Sequence, residues 1–283
     1  MGKKVLLIND IAGYGKVALS AMIPVLTTLG HDIYNLPTAI VSNTLDYGLF
    51  RIQDTTSYMK DTIAVWKNLG FRFDAVATGL LANGEQADLL IDFCTEQSKS
   101  GVKIFVDPIM ADNGSLYNGM TDKTVAAFRR LLKVADFAVP NYTEAMLLTG
   151  REYHEEVTRE ELKEIIGDLR KLGAGSAVIT SLRIDGLDMV GGYDADTGSY
   201  FTIPFDKVPV FFPGTGDIFL SVLMGFIMKG RSFPEATGIA MRLVREMVLR
   251  NRDNRDKFKG IMIEKCLDIL MSEEPEGYQA AFF

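Results

Sequence analysis

Gly214-Thr215-Gly216-Asp217 leads directly into the apolar stretch Ile218–Ile227. Two glycines one residue apart permit a turn that Cβ atoms would obstruct, and the apolar stretch reads as a buried helix. The turn therefore sits at a helix N-terminus, where unpaired N–H groups and the helix dipole favour an anion. A carboxylate beside such a site is electrostatically unfavourable unless it has a task. Accepting a proton during phosphoryl transfer is one. The competing role is a plain helix start with Thr215 or Asp217 as N-cap, which on these four residues alone is the simpler account.

Two further segments carry acids in positions of interest. Asn141-Tyr142-Thr143-Glu144 follows Pro140 and a short apolar run. Asn141 there can cap a helix with Glu144 as its capping-box partner. The Glu144 carboxylate is equally placed to hold a hydrated magnesium ion, which takes one or two carboxylates and keeps several waters. The segment from Asp107 through Asp112 and Gly114 to Tyr117 puts two acids in one glycine-containing loop. Asp107 as a turn cap and Asp112 as an ordinary loop acid are the plain alternatives. Asp107, Glu144 and Asp217 are expected on one rim, where a bound metal ion would neutralise their charge. Gly13-Tyr14-Gly15-Lys16-Val17-Ala18 matches a dinucleotide fingerprint only loosely. Gly13 comes five residues after Ile8, whereas the first glycine of that motif follows its strand almost directly.

The elements that must position these residues recur in a fixed pattern: a helical segment, a glycine, then a short apolar run. Gly30, Gly70, Gly101 and Gly173 stand where helices end. The runs Val5–Ile8, 73–77, 102–106, 137–139 and 177–179 read as strands. Short apolar strands alternating with helices predict a mainly parallel sheet covered on both faces. Those strands run into Asn9-Asp10, Thr78-Gly79, Asp107-Pro108, Pro140-Asn141 and Thr180-Ser181, on the edge where open α/β folds bind ligands. His31–Phe50 has β character and is expected as a small flap. Leu182–Phe212, with turn signals at Asp185-Gly186 and Asp196-Thr197-Gly198, is expected to add antiparallel hairpins. No composition break marks a linker, so residues 1–283 are expected to form a single domain.

With 283 residues, 47% hydrophobic and 24% charged, the composition is that of an ordinary soluble globular protein. The formal charge is 30 minus 37, or −7, and basic residues are dispersed apart from a run at 242–259, so no nucleic-acid partner is expected. Cys94 and Cys266 form neither a disulfide framework nor a zinc pattern, and His31 and His154 lack metal-ligand spacing. The apolar run after Lys3-Lys4 is too short for a signal peptide. No stretch approaches membrane-spanning length. A cytoplasmic location without membrane partners is the expectation.

In combination, these segments resemble the ribokinase-like superfamily and, within it, the pyridoxal/pyridoxamine kinase family. The markers are Ile8-Asn9-Asp10 with Gly13-Tyr14-Gly15, the Asp107–Tyr117 loop, Pro140–Glu144 followed by Leu147-Leu148-Thr149-Gly150, and Gly214–Asp217. The resemblance implies a three-layer α/β/α sandwich, a requirement for ATP and Mg²⁺ with room for a monovalent cation, and a homodimer. It implies that Asp217 is the catalytic base, that Gly214, Thr215 and Gly216 form the anion hole, and that Asn141 and Glu144 organise magnesium. Asp107 and Asp112 would lie near metal and phosphate, with Tyr117, Thr180 and Ser181 on the nucleotide side. The implied substrate is a B6 vitamer phosphorylated on its 5′-hydroxymethyl group. Asp10 would meet the ring or its amino substituent, and Tyr14, Ser42 and Asn43 would line the pocket. Departures from the family pattern fall in that pocket. Asp10 stands where many pyridoxal kinases have Ser, a usual flap histidine is missing from 42–47, and Leu80 replaces a common aromatic residue. Hydroxymethylpyrimidine kinase is the neighbouring alternative, although its members more often carry Cys at the position of Asp217. A non-catalytic vitamin-binding relative is the other, against which the intact Asp217 counts.

Overall fold

The structure, a computed structural model, describes residues 2–271 and 275–283. The chain divides into two compact units, one of Met1–Ala82 and Lys207–Tyr278, the other of Asn83–Asp206 and Gln279–Phe283. The first unit opens with β1 (Lys4–Ala12), α1 (Ala18–Thr28), β2 (Asp32–Val41), β3 (Ile52–Asp54), α2 (Thr56–Leu69) and β4 (Ala75–Thr78). The second contains α3 (Gly84–Ser98), β5 (Lys103–Val106), β6 (Ala111–Asp112), β7 (Ser115–Leu116) and α4 (Asp122–Leu131). It continues with β8 (Phe137–Ala138), α5 (Tyr142–Thr149), α6 (Arg159–Leu172), β9 (Ser176–Ile184), β10 (Leu187–Asp194) and β11 (Ser199–Pro204). The chain then returns to the first unit for α7 (Thr215–Met228) and α8 (Phe233–Asn251), and ends in the second with β12 (Ala281–Phe282).

Each unit has a parallel core with antiparallel additions. In the first the strand order is β4-β1-β2-β3, with β1 parallel to both β2 and β4 and only β3 antiparallel. In the second the order is β5-β8-β9-β10-β11-β12. Its first three strands are parallel and the rest antiparallel. Val5–Ile8 and Ala75–Thr78 are buried at every position, the burial of strands covered on both faces. Around them the helices show one-sided or all-round apolarity as their sequences dictate. α6 buries Leu162, Ile165, Ile166 and Leu169, a single stripe at helical spacing. α7 buries every residue from Asp217 to Phe226. A helix that is apolar all round packs in the interior, and this one carries the Asp217 carboxylate inside with it.

Three elements differ from their sequence expectation. First, β1 does not stop at Ile8 but continues to Ala12 against β2, with a register shift between Asn9 and Ile11. Its other partner, β4, ends opposite Ile8, so Asn9 and Asp10 emerge where the sheet loses one neighbour. Bulges of this kind re-aim side chains beside active sites. Second, the first half of the expected flap is β2 itself, a full sheet strand; only residues 42–51 and β3 lie beyond it. Third, β9 runs through Thr180-Ser181 to Ile184, because β10 supplies an antiparallel partner beyond Ile179, with an irregularity between Met189 and Gly191. The Asp185-Gly186 turn joins these two strands with φ of 52° and 73°, the positive pair that a type I′ hairpin needs.

Candidate active site

Gly214 is the N-cap of α7, with φ 83° and no side-chain cap bond. A Cβ there would lie 2.5 Å from the Lys16 carbonyl oxygen, so the position excludes every other residue on both conformational and steric grounds. Gly216 lies within the first helical turn. The first helical bond runs from the Ile218 N–H to the Gly214 carbonyl, 3.1 Å. The N–H groups of Thr215, Gly216 and Asp217 are therefore the orphan donors of a helix start, oriented for an anion. Neither Thr215 nor Asp217 caps the helix. The Thr215 hydroxyl donates to the Phe212 carbonyl at 3.4 Å, and Asp217 points elsewhere.

The Asp217 carboxylate is held at both oxygens. Oδ1 accepts from Asn9 Nδ2 at 3.0 Å and Oδ2 from the Ala18 N–H at 2.8 Å. Burial pushes its pKa up to about 6, with these two donors acting in the opposite direction. A carboxylate with that value is ionised at neutral pH yet basic enough to take a proton as an alcohol attacks. Asp10, 7% exposed, is pushed up to about 7 by burial first and by the Asp217 charge second. The repulsion is mutual, so each carboxylate disfavours ionisation of the other.

Asn9 was not singled out from the sequence. It is 1% exposed, and its Oδ1 accepts from the N–H groups of Asp10 and Leu80 at 3.0 and 2.8 Å. Nothing in the local sequence distinguishes a structural asparagine from one that reaches a residue 208 positions away.

The pocket candidates from the first loop take different parts. Tyr14 is half exposed, with Lys259 over its ring at 5.4 Å and Tyr47 at 5.9 Å. Ser42 and Asn43 close their own loop. The Ser42 hydroxyl donates to Asn43 Oδ1 at 2.7 Å and accepts from the Arg51 N–H at 2.9 Å. Asn43 Nδ2 donates to the carbonyls of Thr44 and Leu49 at 3.0 and 2.9 Å.

In the second unit, the segment after β5 is a tight hairpin. Asn113-Gly114, with φ of 49° and 78°, joins β6 to β7. The Asn-Gly pair is a strong hairpin signal that the loop expectation passed over. Asp107 is buried at the end of β5. Asp112 accepts from the Asn113 N–H at 2.8 Å, and Tyr117 is 40% exposed. The capping box of α5 is present: the Glu144 N–H donates to Asn141 Oδ1 at 2.9 Å and Glu144 Oε2 accepts from the Asn141 N–H at 2.8 Å. Both residues also hold the hairpin. Glu144 Oε1 accepts from the Met110 N–H at 3.1 Å, and Asn141 Nδ2 donates to the Ala111 carbonyl at 2.7 Å. Burial pushes the Glu144 carboxyl up, opposed by its N–H donors. Thr180 pairs with this region through its N–H to the Pro140 carbonyl, 3.1 Å. Ser181 follows with φ 60°, a strained conformation of the kind that clusters at functional sites. Among the described residues, no three His, Cys, Asp or Glu side chains come together as a metal cage. A magnesium site of one or two carboxylates completed by phosphates and water does not need one.

The phosphomethylpyrimidine kinase family model matches residues 19–261. The chain belongs to the phosphomethylpyrimidine kinase family. Its likeness to pyridoxal kinases agrees with the motifs in the sequence. A Bacteroides thetaiotaomicron protein described as a phosphomethylpyrimidine kinase, in a crystal form with pyridoxal, is 32% identical, covers 99% of this chain and 100% of its own, and has a TM-score of 0.93. Pyridoxal kinase of Lactobacillus plantarum is 27% identical over 95% of this chain and 96% of its own, with a TM-score of 0.86. The curated pyridoxal kinase of Arabidopsis thaliana is 26% identical over 91% of this chain and 84% of that protein. The expected ribokinase-like α/β class, with its mainly parallel sheet and antiparallel additions, is the fold of this family. No helix among the described residues is long and apolar enough to cross a membrane.

The buried acids make folding stability depend on pH. Asp10 binds a proton more tightly folded than unfolded, so its contribution favours the native state below about pH 4 and is lost as pH rises to about 7. Asp10→Asn removes that loss. The variant should gain up to about 4 kcal/mol on the wild type between pH 4 and pH 8, measured by chemical denaturation at both pH values. An equal offset at the two would show that Asp10 is not shifted.

Proposed function

We propose that this chain transfers the γ-phosphoryl group of ATP to the 5′-hydroxymethyl group of a vitamin B6 vitamer, forming the 5′-phosphate and ADP. Residues 1–283 serve this reaction as one ribokinase-like kinase domain, cytoplasmic and homodimeric. The observation that carries the reading is the Asp217 carboxylate, buried and doubly held beside the orphan N–H groups of the α7 start. The pyridoxal-bound relative and the named pyridoxal kinases support the vitamer class.

In this mechanism the vitamer hydroxyl meets Asp217. As its oxygen bonds to the γ-phosphorus and the bond to the bridging oxygen of ADP breaks, the hydroxyl proton passes to Asp217. The N–H groups of residues 214–217 take the charge that spreads over the transferring group. Magnesium, when bound, neutralises phosphate charge. Glu144 has both oxygens engaged by main-chain N–H groups, so its part would be played through a metal-bound water. Asp107 and Asp112 would stand near the same phosphates. Tyr117, Thr180 and Ser181 would meet the nucleotide. Asp10 and Tyr14 would receive the vitamer, with Ser42 and Asn43 shaping the loop behind it.

The name of the family model favours a second reading, a hydroxymethylpyrimidine substrate. Coupled ATP-consumption assays with pyridoxal, pyridoxamine, pyridoxine, hydroxymethylpyrimidine and ribose side by side decide between them. In the same assay Asp217→Asn should lower kcat by at least the ~10²-fold typical of losing a general base. Near-wild-type turnover would remove Asp217 from the mechanism.

Glu144→Gln removes the ionisable carboxyl and leaves one acceptor oxygen where the structure uses two, so it loses the bond from either the Asn141 or the Met110 N–H, and Tm should fall in either case. The magnesium role requires, in addition, a higher Mg²⁺ demand per folded molecule. An unchanged magnesium titration would leave Glu144 a purely architectural residue.

Asp10 also has a consequence for vitamer choice. A cationic ligand draws its proton off and pairs with the carboxylate, a contact worth roughly 1.5–3 kcal/mol. Pyridoxamine should exceed pyridoxal in kcat/KM by about one to two orders of magnitude, and Asp10→Ser should narrow or reverse the gap. The same pyridoxamine-to-pyridoxal ratio in both proteins would sink this role.

A further inference from the structure

The orientation of the Asn9 amide is fixed by its partners. Its Oδ1 faces two main-chain donors, the N–H groups of Asp10 and Leu80, so that atom must be the acceptor and Nδ2 must face the Asp217 carboxylate. Nδ2 also lies 3.5 Å from Met22 Sδ, a weak acceptor that does not compete with a carboxylate. Gly79 leaves the amide its space. A Cβ at that position would lie 2.4 Å from both Asn9 Cγ and Nδ2. The second donor to Asp217 is the Ala18 N–H, aimed by a backbone with φ 48°, a left-handed conformation in which the alanine Cβ crowds the main chain. A rotated amide, a side chain at residue 79 or a relaxed Ala18 would each cost the carboxylate a partner.

We propose that Asn9 is a positioning residue for phosphoryl transfer, whose Nδ2 donor holds the Asp217 carboxylate in its reactive orientation and ionised form. The inference rests on the reading of Asp217 as the base. The groups able to disturb Asp217 electrostatically are few. β1 contributes Asp10, α1 has no titratable side chain, and α8 buries only uncharged residues. The loop against Gly214 contributes Lys16, already paired with Glu264.

The test is the acid limb of the pH profile of kcat/KM, together with infrared titration of the Asp217 carboxyl in the ligand-free protein, assigned by its loss in Asp217→Asn. Asn9→Ala should move both midpoints up by about one to two pH units, the equivalent of losing one charge-assisted donor. The activity deficit should therefore be about five- to fiftyfold near pH 6 and shrink by pH 8. Gly79→Ala keeps every polar group and displaces the amide, and should move the midpoints in the same direction should Asn9→Ala fail to fold. A pH-independent loss with unmoved midpoints in the folded variants would overturn the role of Asn9. A limb that survives in Asp217→Asn would instead reject the base, while the infrared midpoints still report whether Asn9 holds the carboxylate.

Discussion

The Asp217 carboxylate is a charge inside an apolar helix, and much of the first unit is arranged around keeping it there. An ionised carboxylate removed from water needs donors, because burial otherwise neutralises it. Two donors converge from separate places in the chain: a side-chain amide from the end of β1 and a main-chain N–H from the start of α1. Several departures from local preference follow. Gly214 and Ala18 take positive φ, Asp10 sits at a strand irregularity, and Gly79 has no room for a methyl group. Rules broken together at one place mark a site under functional constraint.

Charge balance is the second constraint. Asp10 and Asp217 share the first unit's site, while Glu144 and Asp112 influence each other in the second. The substrates read for this chain bring further negative charge. Main-chain N–H groups answer part of this at three of the acids, on Asp217 from Ala18, on Glu144 from residues 110 and 141, and on Asp112 from Asn113. Fixed dipoles of this kind stabilise charge without reorganising during reaction. The remainder is what a divalent cation and a cationic vitamer would supply.

Asn141 and Glu144 show why the capping and functional roles could not be separated on paper. The capping box forms as its spacing demands. The other side-chain atoms of the two residues, Glu144 Oε1 and Asn141 Nδ2, hold the Asn113-Gly114 hairpin through Met110 and Ala111. The two uses need the same geometry, so one pair of residues serves as helix cap and as brace for the acidic hairpin.

Local chemistry was legible in the sequence wherever neighbours in the chain decide it. The helix-ending glycines, the fully apolar strands, the Asp185-Gly186 turn and the glycine turn before α7 all follow from backbone conformation and short-range burial. So did the family, since its motifs lie in contiguous segments. Strand ends at β1 and β9 lie beyond the local apolar runs, because β2 and β10 extend them with partners that no local pattern announces. Ser42 and Asn43 read as pocket residues from the sequence; the bonds by which their side chains also close a ten-residue loop form only in the folded chain. Asn9 stands in the sequence as a strand end and a family marker, with no role of its own. Its meaning depends on Asp217 and Leu80, which share no periodicity with it. Spacing along the chain determined which residues were able to do chemistry. Only the folded chain decided which of them are held in place to do it, because hydrogen bonds between distant segments exist only once those segments have packed.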